Sequence, residues 1–396
     1  MKKPLIALLI FCILLFAVGC ANSVDTLDKN IAKESSPEAV KSSESSGSIT
    51  NTDKVWKWPT EKWSISTPED QGMDSNILSG ADKRINENYP NVYSLLIVRH
   101  GYLVYEKYRQ GLNKDSYKPV YSVTKSVISA LTGIALREKL ISSIDQKISD
   151  FFPEYFTEVD DIKKREITIR NILTMSAGLE TIDSNYEGYY SSGDWCAYTI
   201  KKPLTDNPGE KFVYNTGLPH FLSGLITKTS KISTLDFANK FLFSQIGISI
   251  EKQVSQKRWD KDQVGYYGGG SGLYLTPVDM AKFGYLYLKN GLWDGKQIIP
   301  EEWVRESTKK QITVSPGGDT GDFGDYGYLF WIKNIKDKVH KKDYLTYYAL
   351  GTGEQKIVII PDLDMVIIIT ANLGLTSEDK ANTQDIISDY ILPAVK

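Results

Sequence analysis

Two β-branched hairpins near opposite ends of the chain constrain its fold more than any other feature. Tyr93-Ser94-Leu95-Leu96-Ile97-Val98 runs to a turn at His100-Gly101 and returns through Tyr102 to Tyr108. Ile357-Val358-Ile359-Ile360 runs to a turn at Pro361-Asp362-Leu363-Asp364 and returns through Met365 to Thr370. Short β-branched runs joined by tight turns read as antiparallel strands. One hairpin is early and one is late, so a single sheet built from both chain ends is expected, with a closing helix from Ser377 to Leu392. Between them the apolar spacing is helical over Val123–Leu136, Leu218–Thr229 and Leu235–Phe243. A Thr168 cap opens a helix to Met175, Thr276-Pro277 opens another, and Pro300-Glu301 opens one more. The expected fold class is α/β (α+β), an antiparallel sheet flanked by helices with an inserted helical subdomain. Its α/β part covers 54–148 and 266–396, and the helical subdomain covers 149–265.

The N-terminus reads differently. Lys2 and Lys3 precede an apolar run from Leu5 to Val18, too short for a membrane span, which ends in Ala17-Val18-Gly19-Cys20. This is the pattern of a lipoprotein signal peptide over 1–19, with Cys20 lipidated. Residues 20–53, rich in Ser, Lys, Glu, Asn and Asp, cannot bury enough apolar surface to offset chain entropy and are expected to be a flexible tether. The folded part, 54–396, would then sit outside the cytoplasm, lipid-anchored at the cell membrane.

Composition removes whole classes of function. Lys+Arg 47 against Asp+Glu 49 leaves a net charge of −2, so no basic excess exists to neutralise nucleic-acid phosphates. With 3 Cys and 3 His, neither a disulfide scaffold nor a Cys₄ zinc site can be built. A Ser-His-Asp hydrolase would need His100, His220 or His340. His100 falls in a hairpin turn, His340 in a Lys-rich stretch, and His220 on an apolar helix face. No Gly-x-Ser-x-Gly elbow accompanies them.

The chemistry concentrates at Ser122-Val123-Thr124-Lys125. Residues three apart on a helix share a face. A lysine beside a serine can act as its base when low dielectric keeps the amine neutral. The same spacing recurs at Ser249/Lys252, Ser307/Lys310 and Ser377/Lys380, but among charged residues, where a lysine is simply solvated. Only Ser122 precedes a near-continuous apolar helix, through Val127, Ile128, Ala130, Leu131, Ile134, Ala135 and Leu136. The bland alternative there is a capping serine with a surface lysine. Tyr214 lies where a loop turns into a helix, a place suited to a proton shuttle, although packing is the default role for one of 24 tyrosines. Ala349-Leu350-Gly351-Thr352-Gly353-Glu354-Gln355 precedes the last hairpin, and glycine in a strand marks close approach by backbone or ligand. Gly268-Gly269-Gly270-Ser271-Gly272 lacks the lysine of a phosphate loop and reads as a flexible cleft wall. Tyr186, Tyr189, Tyr190 and Trp195 read equally well as a substrate entrance or as loop packing.

Taken in order, Ser122–Lys125, Leu173–Leu179, Phe212–Gly217, Gly272–Phe283 and Gly351–Gln355 resemble the serine β-lactamase and penicillin-binding-protein superfamily, in its class C-like branch. The motifs are closest to family VIII esterases and 6-aminohexanoate-oligomer hydrolases. The resemblance runs from about Val92 to the C-terminus and implies a β-lactamase/transpeptidase-like fold. It also implies Ser122 as nucleophile, Lys125 as its partner in proton transfer and Tyr214 as the proton relay. The oxyanion hole would combine the amides of Ser122 and Thr352, with Glu354 as the other register. Thr216, Gly351 and Gly353 would bind substrate, and the resemblance implies no metal and no cofactor. Two positions depart from the superfamily pattern. Thr216 stands where Tyr-x-Asn has its Asn, and Ala349 or Gly351 stands where the strand has its cation. Losing that cation removes a contact worth about 1.5–3 kcal/mol to a carboxylate. The resemblance therefore implies an esterase or amidase of small-molecule or peptide-like substrates. The alternatives are a DD-carboxypeptidase or β-lactamase, and a silent cell-wall-binding lipoprotein.

Overall fold

The computed structural model describes residues 58–250, 259–314, 323–373 and 383–396. The signal peptide, Cys20 and the tether to residue 53 lie outside these residues. So does the start of the expected last helix, from Ser377. Twelve strands are present among the described residues: β1 (Ser64–Ile65), β2 (Val92–Arg99), β3 (Tyr102–Tyr108), β4 (Lys118–Pro119), β5 (Tyr274–Leu275), β6 (Leu292–Trp293), β7 (Lys296–Gln297), β8 (Asp325–Tyr326), β9 (Trp331–Lys336), β10 (Asp343–Gly351), β11 (Gln355–Ile360) and β12 (Met365–Ala371). Eight of them form one sheet in the order β1-β3-β2-β12-β11-β10-β9-β8. Only the β1–β3 pair is parallel. Both predicted hairpins are there, as β2–β3 and β11–β12, and they meet side by side with Val98 opposite Val366. The turns need left-handed residues and have them, at His100 and Gly101 and at Asp364.

The helices are α1 (Ser75–Asn88), α2 (Val123–Arg137), α3 (Ile148–Phe151), α4 (Ile169–Leu173), α5 (Tyr186–Ser191), α6 (Trp195–Ile200), α7 (Leu218–Ser230), α8 (Thr234–Ala238), α9 (Pro277–Leu288), α10 (Glu301–Ser307) and α11 (Gln384–Ile386). The expected helix over Leu235–Phe243 is α8 followed by a wider turn, Asn239–Phe243. A similar wider turn carries α11 on to Ile391. Thr168 and Thr276 each make a capping box, with Asn171 and Asp279. None of the described helices is long and apolar enough to cross a membrane.

The central strands are covered on both faces. A Cβ at Gly284 of α9 would meet the Val366 and Ile357 side chains at 2.6 and 2.7 Å. The neighbouring Val358 faces the other way, into a groove shared with Ile387 beyond α11. This is why β11 and β12 are buried along their whole lengths and read as unbroken apolar runs. Helix α2 packs between this sheet, at β10 and β11, and α7. It is buried from Val123 to Ala135, so its first turn lies at the seam between sheet and helices.

Candidate active site

Ser122 sits at the N-cap of α2 yet caps nothing, since its side chain accepts no bond from the helix amides. The residue before it, Tyr121, holds φ at 47°, unusual for a bulky side chain. Its carbonyl is pinned by the Thr124 amide at 3.0 Å and the Thr124 hydroxyl at 2.6 Å. The Thr124 hydroxyl in turn accepts the Leu273 amide at 3.3 Å. The chain is thus held through a strained turn that frees the Ser122 hydroxyl from capping.

Lys125 is 1% exposed, which excludes the capping-serine, surface-lysine alternative. Its Nζ lies 2.8 Å from Ser122 Oγ, 3.1 Å from Thr216 Oγ1 and 2.7 Å from the Gly270 carbonyl. It also sits 4.9 Å from the centre of the Tyr214 ring. Burial pushes its pKa down to about 7, against the opposing pull of the Asp183 carboxylate. Near neutral pH a large share of the amine therefore carries a free lone pair.

Tyr214 lies in the turn before α7, half-buried and stacked on Trp331 at 5.9 Å. Burial raises its pKa, while the nearby Ser122 hydroxyl works the other way. It remains a neutral phenol through the physiological range, able to pass a proton on but not to start as a base.

The strand side closes the site. A Cβ at Gly351 would come 2.3 Å from the Val120 carbonyl and 3.3 Å from the Ser122 amide nitrogen, so only glycine fits where β10 passes the start of α2. Past the Tyr348–Trp331 pair, β10 keeps β11 as its sheet neighbour but no longer has β9. Thr352 follows, exposed. Among the described residues neither the Ser122 nor the Thr352 amide donates to a protein acceptor. The Glu354 side chain turns to its neighbours: its carboxylate accepts the Thr383 amide at 2.8 Å, the Thr383 hydroxyl at 2.8 Å and Lys356 Nζ at 2.6 Å. Gly353, with φ at 77°, carries the turn.

The expectation of a flexible wall at Gly268–Gly272 is corrected. A Cβ at Gly269 would lie 2.0 Å from the Pro219 carbonyl, and one at Gly270 would lie 1.9 Å from the Thr216 carbonyl. These glycines let the loop press against the start of α7, which is how the Gly270 carbonyl reaches Lys125.

Sequence reasoning missed Asp183. It accepts the Thr216 amide at 2.9 Å and the Thr216 hydroxyl at 3.3 Å. No spacing signals it, because it joins the site only through the fold. Tyr186 and Tyr190, one helical turn apart on α5, are 45% and 43% exposed and stack at 6.2 Å. Tyr190 shares a 2.6 Å hydrogen bond with Ser271, and the phenol of Tyr186 is near enough to Thr216 and Asp183 to be influenced by both. Tyr189 and Trp195 are buried packing residues. His220 is fully buried against Asp262 at 2.9 Å and accepts the Gly269 amide, a structural role.

A fold of this kind around a serine–lysine pair defines a class of serine hydrolase. The beta-lactamase family model matches residues 86–389, and the chain belongs to that family. A 6-aminohexanoate-dimer hydrolase of Paenarthrobacter ureafaciens is 20% identical over 309 residues, covering 74% of each chain. A D-stereospecific amidohydrolase from Streptomyces sp. superposes with a TM-score of 0.62 at 12% identity, over 81% of this chain and 99% of that one. A class C beta-lactamase superposes with a TM-score of 0.61 at 14% identity, over 81% and 97%.

Proposed function

We propose that this serine hydrolase cleaves esters or amides through an acyl-enzyme on Ser122. The observation that carries the reading is Lys125, buried, 2.8 Å from Ser122 Oγ and with its pKa brought down to about 7. The neutral amine takes the Ser122 proton as Oγ bonds to the substrate carbonyl carbon, and the carbonyl π electrons move onto oxygen. The amides of Ser122 and Thr352 receive that oxyanion, at the positive end of α2. On collapse the bond to the leaving group breaks. Tyr214 gives that group its proton and recovers one from the Lys125 ammonium. Water then repeats the steps in reverse order to release the acid. Ser122 as nucleophile, Lys125 as base, Tyr214 as relay, and Thr216, Gly351 and Gly353 at the substrate are all parts of this proposal.

The favoured substrate lacks a carboxylate beside the scissile bond. Ala349 and Gly351 offer no cation on β10, and Lys356, the nearest lysine in sequence on the neighbouring strand, is bound to Glu354. Intact-mass spectrometry after separate exposure to a fluorophosphonate, p-nitrophenyl acetate and a penicillin tests this. A Ser122-dependent adduct or turnover with the first two alone is expected. A long-lived penicilloyl adduct would point to peptidoglycan instead, and no adduct at all would favour a silent binding protein.

We also propose export and lipidation at Cys20, supported by the apolar run ending at Gly19-Cys20. Metabolic labelling with a fatty-acid analogue should mark the protein in the membrane fraction. A Cys20→Ser variant labelled equally well would end the proposal.

A further inference from the structure

Counting protons around Lys125 shows what Asp183 does. The Asp183 carboxylate takes the Thr216 amide on one oxygen and the Thr216 hydroxyl on the other. A hydroxyl has one proton to give, and a carboxylate can only accept. With its proton committed to Asp183, Thr216 Oγ1 can only accept from Lys125 Nζ, at 3.1 Å. The Gly270 carbonyl, at 2.7 Å, can likewise only accept.

A neutral amine has two N–H bonds and one lone pair. Both N–H bonds are claimed, by Thr216 and Gly270. The remaining partner is Ser122 Oγ, at 2.8 Å, whose own proton can turn toward nitrogen. We infer that Asp183 is a positioning residue: by holding the Thr216 proton it makes Thr216 an obligate acceptor and so aims the Lys125 lone pair at the Ser122 hydroxyl. This rests on Lys125 being the base proposed above.

The groups facing Lys125 come from every side. Ser122 lies on its own helix turn. Tyr214 and Thr216 come from the turn before α7, Gly270 from the glycine loop, and Asp183 from the segment before α5. The Tyr186 phenol of α5 is near enough to Thr216 and Asp183 to be influenced by both. Tyr214 and Tyr186 both have raised pKa values, burial being the first cause, and stay neutral. Asp183 is thus the charged member of the set.

Asp183→Asn tests the inference with nearly unchanged shape. Its amide nitrogen would donate to Thr216 Oγ1, turning the Thr216 proton toward Lys125, where it would capture the lone pair. Acylation of Ser122 by p-nitrophenyl acetate should slow by about 10²-fold, the lower end of a general base's contribution. The acidic limb of the kcat/KM profile should move to lower pH, because the charge favouring the ammonium is gone. Adding Thr216→Val to Asp183→Asn removes the misdirected proton, so the double variant should acylate faster than Asp183→Asn alone. A purely structural Asp183 gives the opposite: a double variant no faster than the single, and an unmoved limb.

A wild-type rate and limb in Asp183→Asn, with Lys125→Met inactive, would overturn the inference and leave the base assignment intact. Wild-type acylation by Lys125→Met would overturn the base assignment itself. If Asp183→Asn fails to fold, Thr216→Ser against Thr216→Val carries the test. Serine keeps the hydroxyl and should keep the rate, while valine should lose at least about tenfold. Equal rates in the two would overturn the inference.

Discussion

Lys125 and Lys282 are both buried lysines on helices, at 1% and 5% exposure, and burial lowers the pKa of both. Their surroundings differ in one respect. Lys282 Nζ donates to the Thr60 carbonyl at 3.0 Å and the Gly247 carbonyl at 2.6 Å, with the carboxylates of Asp279 and Glu61 acting to keep its charge. Carbonyls and carboxylates only accept, so that site is satisfied by an ammonium. Lys282 staples the segment entering the domain to α9. Lys125 meets one carbonyl and two hydroxyls, and one of these, the Ser122 hydroxyl, can turn from acceptor to donor. Its site is satisfied whether the amine is charged or neutral. Burial alone does not make a lysine a base. A partner able to reverse its hydrogen bond does.

The largest expected effect is Ser122→Ala, which should cut turnover by at least about 10³-fold and abolish the fluorophosphonate adduct, with the melting temperature nearly unchanged. An active variant would sink the assignment of the nucleophile. Lys125→Met should cost about 10²–10⁴-fold and stabilise the fold. The folded-state pKa of Lys125 is depressed from 10.5 to about 7. The unfolded chain therefore binds the extra proton between these values, and stability rises with pH across that window. Below about pH 7 the folded state bears the whole cost, on the order of 5 kcal/mol at most. Three lost hydrogen bonds of about 1 kcal/mol each offset much of it. Urea denaturation at pH 7 should show a net gain of about 1–2 kcal/mol, turning to a net loss of similar size at pH 10, where most of the protonation cost is gone. A variant destabilised equally at both values would mean that Lys125 is held charged, like Lys282.

Tyr214→Phe should come next, lowering the plateau of kcat by about 10²-fold. The limb near pH 7 should stay in place, since Tyr214 does not titrate there. A limb that disappears with Tyr214 would transfer the base role to the phenol. The smallest effect on activity belongs to Lys282→Met. It leaves the Thr60 and Gly247 carbonyls without their partner and should cost about 1–3 kcal/mol of stability, with kcat/KM within about twofold of wild type, as for a change outside the site. A large loss of kcat/KM in a folded variant would erase the distinction between the two lysines.

Local patterns carried much of this into view beforehand. The hairpins, the Ser122–Lys125 spacing, the Thr168 and Thr276 caps and the glycine at 351 each act through neighbours in sequence or through the demands of one backbone position. The glycine loop reads as flexible by composition, which does not reveal what presses against a missing side chain. Asp183 was invisible for a related reason. Its importance comes from meeting Thr216, far along the chain, and from the one proton they share. Thr216 stands in the place of an Asn, and in the proposed site its single proton matters more than any likeness to an amide.

The seam between β2 and β12 has a consequence for how the chain is made. Strands that touch at Val98 and Val366 leave the ribosome far apart in time, and no local contact can bring them together early. The helical segments between them close on near neighbours, but the centre of the sheet waits for its final strands and bears the entropy of a very long loop. A nascent chain lacking β11 and β12 exposes apolar strands with no partners, the condition that favours aggregation or capture by chaperones. The nucleophile, whose helix packs on that sheet, is therefore assembled last, and activity becomes a report on complete synthesis.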